Sequence, residues 1–416
     1  MLIIEKPHYR INRWILLISG VLPCESSMLA TAQKLFFYSI LASTFYVQLT
    51  VFITHELSAI QFIDFLTFMF PTSVVMIKYY YFYLNTELVT RLLETVQSDW
   101  NSLKDERERE IIEKYAVEVK FLTMTMTVFC CSMVVGYLIL SVTPYIFSVY
   151  SSHNNTFASC MYVPFDYCID REKYFYIILT HFILFLSIGS IGVVAMATLM
   201  ALFLKHACGL LKIASYRLER AMNTKDIQQT SSLMKERIMR VRVMQAVNIQ
   251  QQALNTSTEK FERLFRFRRF TSRVMSNFAL LYFILIVIGA GSISICMFRI
   301  IYTLQTTCDW RELFVIIAML MAHFIYMFFA NYMAQEVTDH CNNLFLAAYS
   351  SMWYVAPLRV QRLILFLLQY GTKNYTIVIG GFYVSSLEGF TTLLSTSLSY
   401  FMVIYSTQIN DEKIRE

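Results

Sequence analysis

The sequence has 416 residues, of which 56% are hydrophobic and 15% charged, with a net charge of +6 and only 11 Gly and 6 Pro. This composition excludes an ordinary soluble, collagen-like or disordered chain and indicates an all-α membrane protein. A helix needs about 20 apolar residues to cross a hydrocarbon core of roughly 30 Å. Seven segments are long and apolar enough: 35–54, 60–84, 121–142, 174–204, 278–301, 313–333 and 375–405.

The distribution of Lys and Arg predicts how these spans are oriented. With the amino terminus inside, 28 of the 35 Lys and Arg residues fall on the cytoplasmic side, where membrane proteins carry their excess of positive charge. We therefore predict a cytoplasmic amino terminus and an extracellular carboxyl terminus, opposite to a G-protein-coupled receptor. The early run RWILLISGVLP is too short to span and is predicted to lie along the inner membrane surface.

The cytoplasmic connections are predicted to be helical. The connection 205–277 is long and basic with apolar residues at helical spacing, so spans four and five are expected to extend into the cytoplasm. This extension is either a solvated hairpin packed on itself or a domain where subunits meet. After span six, APLRVQRLILFLLQYG begins with Pro357 and stops at Gly371, which predicts a helix too short to cross. The charge run NSLKDERERE before span three is expected to be a solvated face.

The predicted outer loop 143–173 contains a glycosylation sequon at Asn154 and two cysteines. Cys160 has two candidate disulfide partners, Cys168 and Cys308, and the pairing stays open. Two isolated charges fall in span two: Asp64 is expected to be hydrated near the outer surface, and Lys78 to extend toward the cytoplasm.

No catalytic constellation is apparent in the sequence. It contains no metal-ligand spacing, no Gly-rich phosphate loop and no nucleophile with a positioned base, so we expect neither an enzyme nor a metal or cofactor site. The basic residues are explained by anionic lipid headgroups without a nucleic-acid partner.

The last span carries a polar stripe. Within TTLLSTSLSYFMVIYSTQ, hydroxyl side chains recur every three or four residues and share one side of a helix. Either small hydroxyl residues let membrane helices pack closely, or this side lines water. The stripe, with an acid at its start and an aliphatic residue near its end, consists of Glu388, Thr392, Ser395, Thr396, Ser399, Val403 and Ser406.

Glu388 favours the water-lined interpretation. An acid near the middle of the membrane, where this residue is predicted, costs roughly 2.5–3.5 kcal/mol without water or a partner. An acid, then hydroxyls, then a hydrophobic constriction at Val403 would make a cation pathway with a gate. One helix cannot enclose a pore, so several subunits would have to surround an axis.

Three features of the carboxyl-terminal third resemble insect odorant receptors: the segment AAYSSMWY, the short helix after it, and SYFMVIY in the last span. The seven-span layout is similar to that family along nearly the whole chain. The resemblance implies an odorant-gated, non-selective cation channel in the plasma membrane of sensory-neuron dendrites. It further implies a tetramer around a central pore, in which a ligand-tuning subunit assembles with the shared olfactory co-receptor.

The resemblance also assigns residue roles in the pore helix. The family's gate valine falls on Val403, its acid on Glu388, and the polar residue near the outer mouth on Ser406, where the co-receptor has Gln. The gustatory signature is not met, because Ser399 and Ser406 replace its Thr and Gln. Short cytoplasmic connections favour a tuning receptor over the co-receptor.

By the same resemblance, the odorant pocket lies in the outer halves of spans two, three, four and six. Met and aromatic side chains there suit an apolar volatile, with Tyr176, Thr180 or His181 holding one polar group. Ordinary helix packing is the alternative for each. The predicted pocket residues are Phe65, Phe68, Met69, Met133, Gly136, Leu140, Tyr176, Thr180, His181, Leu184, Phe314, Ile317, Ala318 and Met321.

Together these predictions divide the chain into seven parts. A secondary transporter is disfavoured because no internal repeat is apparent, and a metabotropic seven-span receptor or a gustatory receptor-like channel remains the alternative function. The parts are a cytoplasmic segment 1–34, spans one to four in 35–204, cytoplasmic anchor extensions 205–277, spans five and six in 278–335, an anchor pre-helix in 336–374, a pore-lining helix 375–407 and an extracellular tail 408–416.

Overall fold

The structure, a computed structural model, is almost entirely helical. It describes residues 6–20, 28–54, 59–150, 167, 170, 173–222, 239, 266–306, 309–351, 353–356, 358–371 and 376–415. The predicted sequon at Asn154 and the cysteines Cys160, Cys168 and Cys308 lie outside these residues. The main elements are α1 (Arg10–Ile18), α2 (Met28–Thr54), α3 (Ala59–Leu84), α4 (Thr86–Ser102), α5 (Glu106–Tyr150), α6 (Phe175–Met222), α7 (Arg266–Thr306), α8 (Trp310–Ser350), α9 (Leu358–Gly371), β1 (Val378–Ile379), β2 (Tyr383–Val384) and α10 (Leu387–Arg415).

The helices confirm the predicted all-α membrane fold. In the described residues, α3, α5, α6, α7, α8 and α10 each contain a stretch long and apolar enough to cross a membrane. Helix α2, with 27 residues, has the length of a seventh span. The short helix α9 ends at Gly371, where the sequence predicts its end. The chain is therefore a multi-pass membrane protein.

Helix α6 lies at the centre of the bundle. It packs against α5 and α8 most extensively, and also against α1, α2, α3, α4 and α7. Ala195, Leu199 and Phe203 on this helix are fully buried. Gly192 makes room for the ring of Tyr79, because a Cβ at this glycine would lie only 2.1 Å from that ring. Small residues allow this kind of close helix contact in membranes.

A second, smaller core joins the ends of the helices on the side that the sequence predicts to be cytoplasmic. Leu218 at the end of α6, Ala348 at the end of α8, and Val360 and Ile364 of α9 are buried together with Met239. Met239 is the described residue of the long connection between α6 and α7. The ends of α6 and α8 and the short helix α9 therefore meet in one compact cluster.

A β-hairpin stands where the sequence predicts the start of the last span. Val378 pairs with Val384 in an antiparallel ladder, and the turn places Gly380 and Gly381 at φ 63° and 86°. Only glycine adopts such positive φ values at no steric cost, so this pair specifies a turn. The prediction of a continuous helix from 375 is wrong, because the apolar run TIVIGGFYV forms two short strands instead.

Helix α10 begins at Leu387 and continues to Arg415, past the predicted boundary at 407. Ser386 caps its start, since the backbone N–H of Gly389 donates to Ser386 Oγ at 3.0 Å. Glu388 therefore lies in the first helical turn, where the helix dipole favours a carboxylate. The predicted position of Glu388 near the middle of the span is thereby corrected.

Candidate functional site

One face of α10 packs against α7 and α8. Phe390, Ser397 and Phe401 on this face are buried. The ring centroid of Phe390 lies 5.3 Å from that of Phe324 in α8, in an edge-to-face contact. Ser294 of α7 donates its hydroxyl to the carbonyl of Ser397 at 2.8 Å. These contacts fix the rotation of α10 about its own axis.

The predicted stripe lies on the exposed part of α10. Val403 is 61% exposed in the single chain, and Thr396 is half-buried. At 1.5 Å per residue, the face runs for about 22 Å from Glu388 to Val403. The exposed members of the stripe are Glu388, Thr392, Ser395, Ser399, Val403 and Ser406.

The hydroxyls of the stripe satisfy their donors within α10. Thr392 donates to the carbonyl of Glu388 at 3.0 Å, and Thr396 donates to that of Thr392 at 2.8 Å. Ser399 donates to the carbonyl of Ser395 at 2.9 Å. Because each O–H bond points back to the helix, the oxygen lone pairs remain available on the outer surface. Such a surface accepts hydrogen bonds from water and attracts cations.

The structure brings some predicted pocket residues together. The ring of Phe314 in α8 packs on Gly136 in α5, with a ring atom 3.1 Å from where a Cβ would stand. Phe68 and Leu184 are half-buried against the main core. The others that are half-buried are Phe65, Met69, Met133, Leu140 and Ala318. Those exposed on the single chain, with Phe314, are Tyr176, Thr180, Ile317 and Met321.

His181 is held by two hydroxyl groups. Its Nε2 atom lies 2.8 Å from Ser43 Oγ, and its Nδ1 atom lies 2.9 Å from the Tyr167 hydroxyl. Both ring nitrogens therefore have partners. The contact with Ser43 could not be predicted from the sequence, because the two residues are 138 positions apart along the chain.

A small cavity lies deeper, between α6, α7, α8 and the hairpin. It measures about 70 Å³, enough for about two waters at roughly 30 Å³ each. Asn331 at its wall accepts from the Tyr383 hydroxyl at 2.7 Å and from Ser385 at 3.1 Å. Burial raises the pKa of Tyr383 to about 12. None of the predicted pocket residues lines this cavity.

An ion triad missed by the sequence analysis links three membrane helices. Arg299 of α7 pairs with Asp64 of α3 and with Glu312 of α8. The side chains of Arg299 and Glu312 are only 8% and 11% exposed. The side chain of Asp64 is 41% exposed, which is compatible with the expected hydration, and it has the guanidinium of Arg299 as a partner that the sequence did not predict.

The prediction that the side chain of Lys78 extends toward the cytoplasm is wrong. The side chain is buried, and its ammonium lies 3.6 Å from the centroid of the Tyr326 ring. Such a cation–π contact is worth about 2 kcal/mol when desolvated. Within the described residues the ammonium has no hydrogen-bond partner.

A family model described as the seven-transmembrane odorant receptor family matches residues 58–398, which is most of the chain. The chain belongs to this odorant receptor family. The expectation drawn from the resemblance is therefore confirmed at the level of the family.

Solved structures confirm the fold of this odorant receptor. It is similar to the insect olfactory receptor OR5 from Machilis hrabei in complex with eugenol, with a TM-score of 0.69 and 16% identity over 97% of this chain and 100% of that one. The structure of the same receptor described without eugenol gives a TM-score of 0.66 at 16% identity, covering 96% and 99%. A comparison with curated proteins found no match.

Proposed function

We propose that this odorant receptor is a ligand-tuning subunit that binds a small apolar volatile and opens a non-selective cation channel. It assembles with the olfactory co-receptor as a heterotetramer in the plasma membrane of sensory-neuron dendrites. The α10 helices of the subunits surround the pore. Val403 is the gate, and the polar lining consists of Glu388, Thr392, Thr396, Ser399 and Ser406.

The exposed stripe of α10 carries this proposal. Its hydroxyls have their donors satisfied within the helix and present lone pairs outward, which supports a wet, cation-attracting surface. One face of α10 packs against α7 and α8 of the same chain. The stripe is therefore available to face a pore axis that several subunits share. Val403, at about 22 Å from Glu388, is the aliphatic residue placed to close such a path.

The odorant pocket proposed here comprises the fourteen residues predicted above in the outer halves of α3, α5, α6 and α8. The contact between Gly136 and Phe314 supports a shared wall of α5 and α8. An apolar odorant of ten carbons gains at most roughly 8 kcal/mol on burial, at about 0.8 kcal/mol per methylene. This corresponds to about micromolar affinity, and the bound odorant must favour the open state to drive gating.

Cysteine accessibility tests the wet stripe directly. Thr392→Cys, Ser399→Cys and Val403→Cys variants are co-expressed with the co-receptor, and a panel of volatiles that includes eugenol identifies an agonist. A charged, water-soluble thiol reagent is then applied during stimulation. We expect progressive, irreversible loss of evoked current in these variants, because reagent bound at the stripe obstructs the path.

Two controls define the result. Wild-type receptor reports the background from native cysteines, and Ser397→Cys places a thiol on the buried face of the same helix, where the side chain is 1% exposed. If the three stripe variants react no faster than Ser397→Cys, the stripe is dry and the channel proposal fails.

The alternative function is a metabotropic seven-span receptor. Whole-cell current with and without the co-receptor, in cells lacking G-protein coupling, separates the two functions. Evoked current that needs both subunits supports the channel. A response that disappears with the G protein and needs no co-receptor contradicts it.

An epitope tag after residue 416, detected on unpermeabilised cells, tests the proposed external carboxyl terminus. Loss of a mass shift in Asn154→Gln tests glycosylation at this sequon.

A further inference from the structure

Three side chains with metal-binding donors meet where α6 and α8 leave the predicted membrane spans. Cys208 of α6 and the pair Glu336 and His340 of α8 each place one donor atom within 4.8 Å of the others. Glu336 and His340 are one helical turn apart and share a face of α8. Cys208 is 1% exposed, so its thiol faces this pair inside the protein.

Hydrogen bonds define which His340 nitrogen is available. Nδ1 lies 2.8 Å from the backbone carbonyl of Glu336, and because a carbonyl can only accept, Nδ1 carries the proton. Nε2 then keeps its lone pair, toward which the Tyr115 hydroxyl donates at 2.6 Å. Metal-binding histidines are usually held in this way, with the second nitrogen donating to a carbonyl or carboxylate.

Glu336 contributes an oxygen that is still unused. Its Oε1 accepts from Lys205 at 2.7 Å. Its Oε2 is buried and has no hydrogen-bond partner in the described part of the chain. An unpaired buried carboxylate oxygen costs free energy. A carboxylate oxygen, an imidazole lone pair and a thiol are therefore available within one group of neighbouring side chains.

The charge of this cluster also suits a divalent cation. Lys205 bridges Glu118 at 2.6 Å and Glu336 at 2.7 Å, so one cation faces two carboxylates. A thiolate at Cys208 would add a further negative charge, and a divalent ion would then bring the cluster to neutrality. Sulfur, nitrogen and oxygen donors together are the ligand set of zinc, whereas calcium and magnesium prefer oxygen alone.

We propose that Cys208, Glu336 and His340 bind Zn²⁺ and thereby pin α6 to α8 on the cytoplasmic side of the receptor. Binding replaces the hydrogen bond from the Tyr115 hydroxyl to Nε2, and the thiol proton of Cys208 is released to solvent water. A water or the Tyr115 oxygen fills the fourth position. The site lies below the proposed odorant pocket and is independent of the proposed channel function.

Metal binding by the full-length purified receptor in detergent tests this site. After removal of metals, the protein is dialysed against Zn²⁺ and its metal content is measured by mass spectrometry. We expect about one zinc per chain in the wild type, and a loss of most of it in Cys208→Ser and His340→Gln. Cys296→Ser removes a buried thiol of α7 outside the cluster, and should bind like the wild type.

Co²⁺ titration of the wild type gives a readout that needs no variant to fold. Thiolate ligation produces a charge-transfer absorption band, so its appearance at stoichiometric Co²⁺ supports the site and its absence overturns it. Zinc retention in Cys208→Ser equal to that of the wild type would also overturn the proposal. Zn²⁺ should further raise the thermal midpoint of the wild type and of Cys296→Ser, but not of Cys208→Ser.

Discussion

The ion triad of Arg299, Asp64 and Glu312 makes a quantitative prediction about stability. Arg299→Met leaves the carboxylate of Glu312, whose side chain is 11% exposed, without its partner. Breaking a buried ion pair on one side costs about 3–5 kcal/mol. Asp64 is 41% exposed, so its pairing is worth about 1 kcal/mol after allowance for solvent screening. We therefore expect Arg299→Met to cost about 4 kcal/mol and Asp64→Asn about 1 kcal/mol.

The combined variant separates electrostatics from packing. In Asp64→Asn/Arg299→Met/Glu312→Met no charge is left unpaired, and replacing a buried ion pair by apolar residues of similar volume is often neutral or stabilising. The combined variant should thus recover most of the stability lost in Arg299→Met. Size-exclusion chromatography after heating the purified receptor to a series of temperatures measures the thermal unfolding midpoint of each variant and so gives their order. Arg311→Met is the control, since Arg311 pairs with the nearby Asp309 at a partly exposed site.

One outcome would refute this reasoning. If the combined variant unfolds at the same temperature as Arg299→Met, the loss arises from the packing of the arginine side chain and not from an unpaired carboxylate.

Three further perturbations test other parts of the fold by the same thermal assay. Gly192→Ala should cost about 1–3 kcal/mol by overpacking against Tyr79, whereas Gly189→Ala should be tolerated, because a Cβ there meets its nearest neighbour at 3.6 Å. Ser386→Ala should cost about 1 kcal/mol by removing the cap of α10; no change would argue against the cap. Lys78→Met should leave the receptor as stable or more stable, since no unpaired group remains; a clear loss would indicate an ionic partner.

Local signals in the sequence predicted most of the helices. Apolar stretches of membrane length predict α3, α5, α6, α7 and α8, because a single segment in the lipid can hydrogen-bond all its backbone N–H and C=O groups only as a helix. The short helix α9 was predicted from Pro357 before it and Gly371 at its end, which are positional signals with a physical cause. The stripe of α10 was likewise found from its spacing alone, and the structure leaves it exposed.

The hairpin before α10 shows where apolar composition fails as a guide. A stretch of β-branched and aromatic residues fits a strand as well as a membrane helix, and the adjacent pair Gly380 and Gly381 decides between them. This Gly-Gly signal was present in the sequence but was counted within a long apolar run. Because the Gly-Gly turn interrupts the apolar run, the last helix begins only at Leu387, and Glu388 lies in its first turn.

The ion pairs could not be predicted because their partners are far apart in the sequence. Lys205 meets Glu118 across 87 residues and Glu336 across 131 residues. The charge run before span three had suggested a solvated face, yet Glu108 within it is buried and pairs with Arg217 at 2.5 Å. Only the packing of α6 against α5 and α8 reveals these contacts, and the same is true of the group formed by Cys208 with α8.

The inward-pointing hydroxyls of α10 have a consequence for how this surface can change neighbours. A serine that relies on another helix for its hydrogen bond loses that bond when the helices separate. Thr392, Thr396 and Ser399 donate to carbonyls of α10 itself. When α10 slides or rotates against a neighbouring helix, these hydroxyl groups therefore keep their hydrogen bonds. Movement of α10 along a neighbouring helix therefore breaks none of these hydrogen bonds, each of which would cost about 1 kcal/mol to lose.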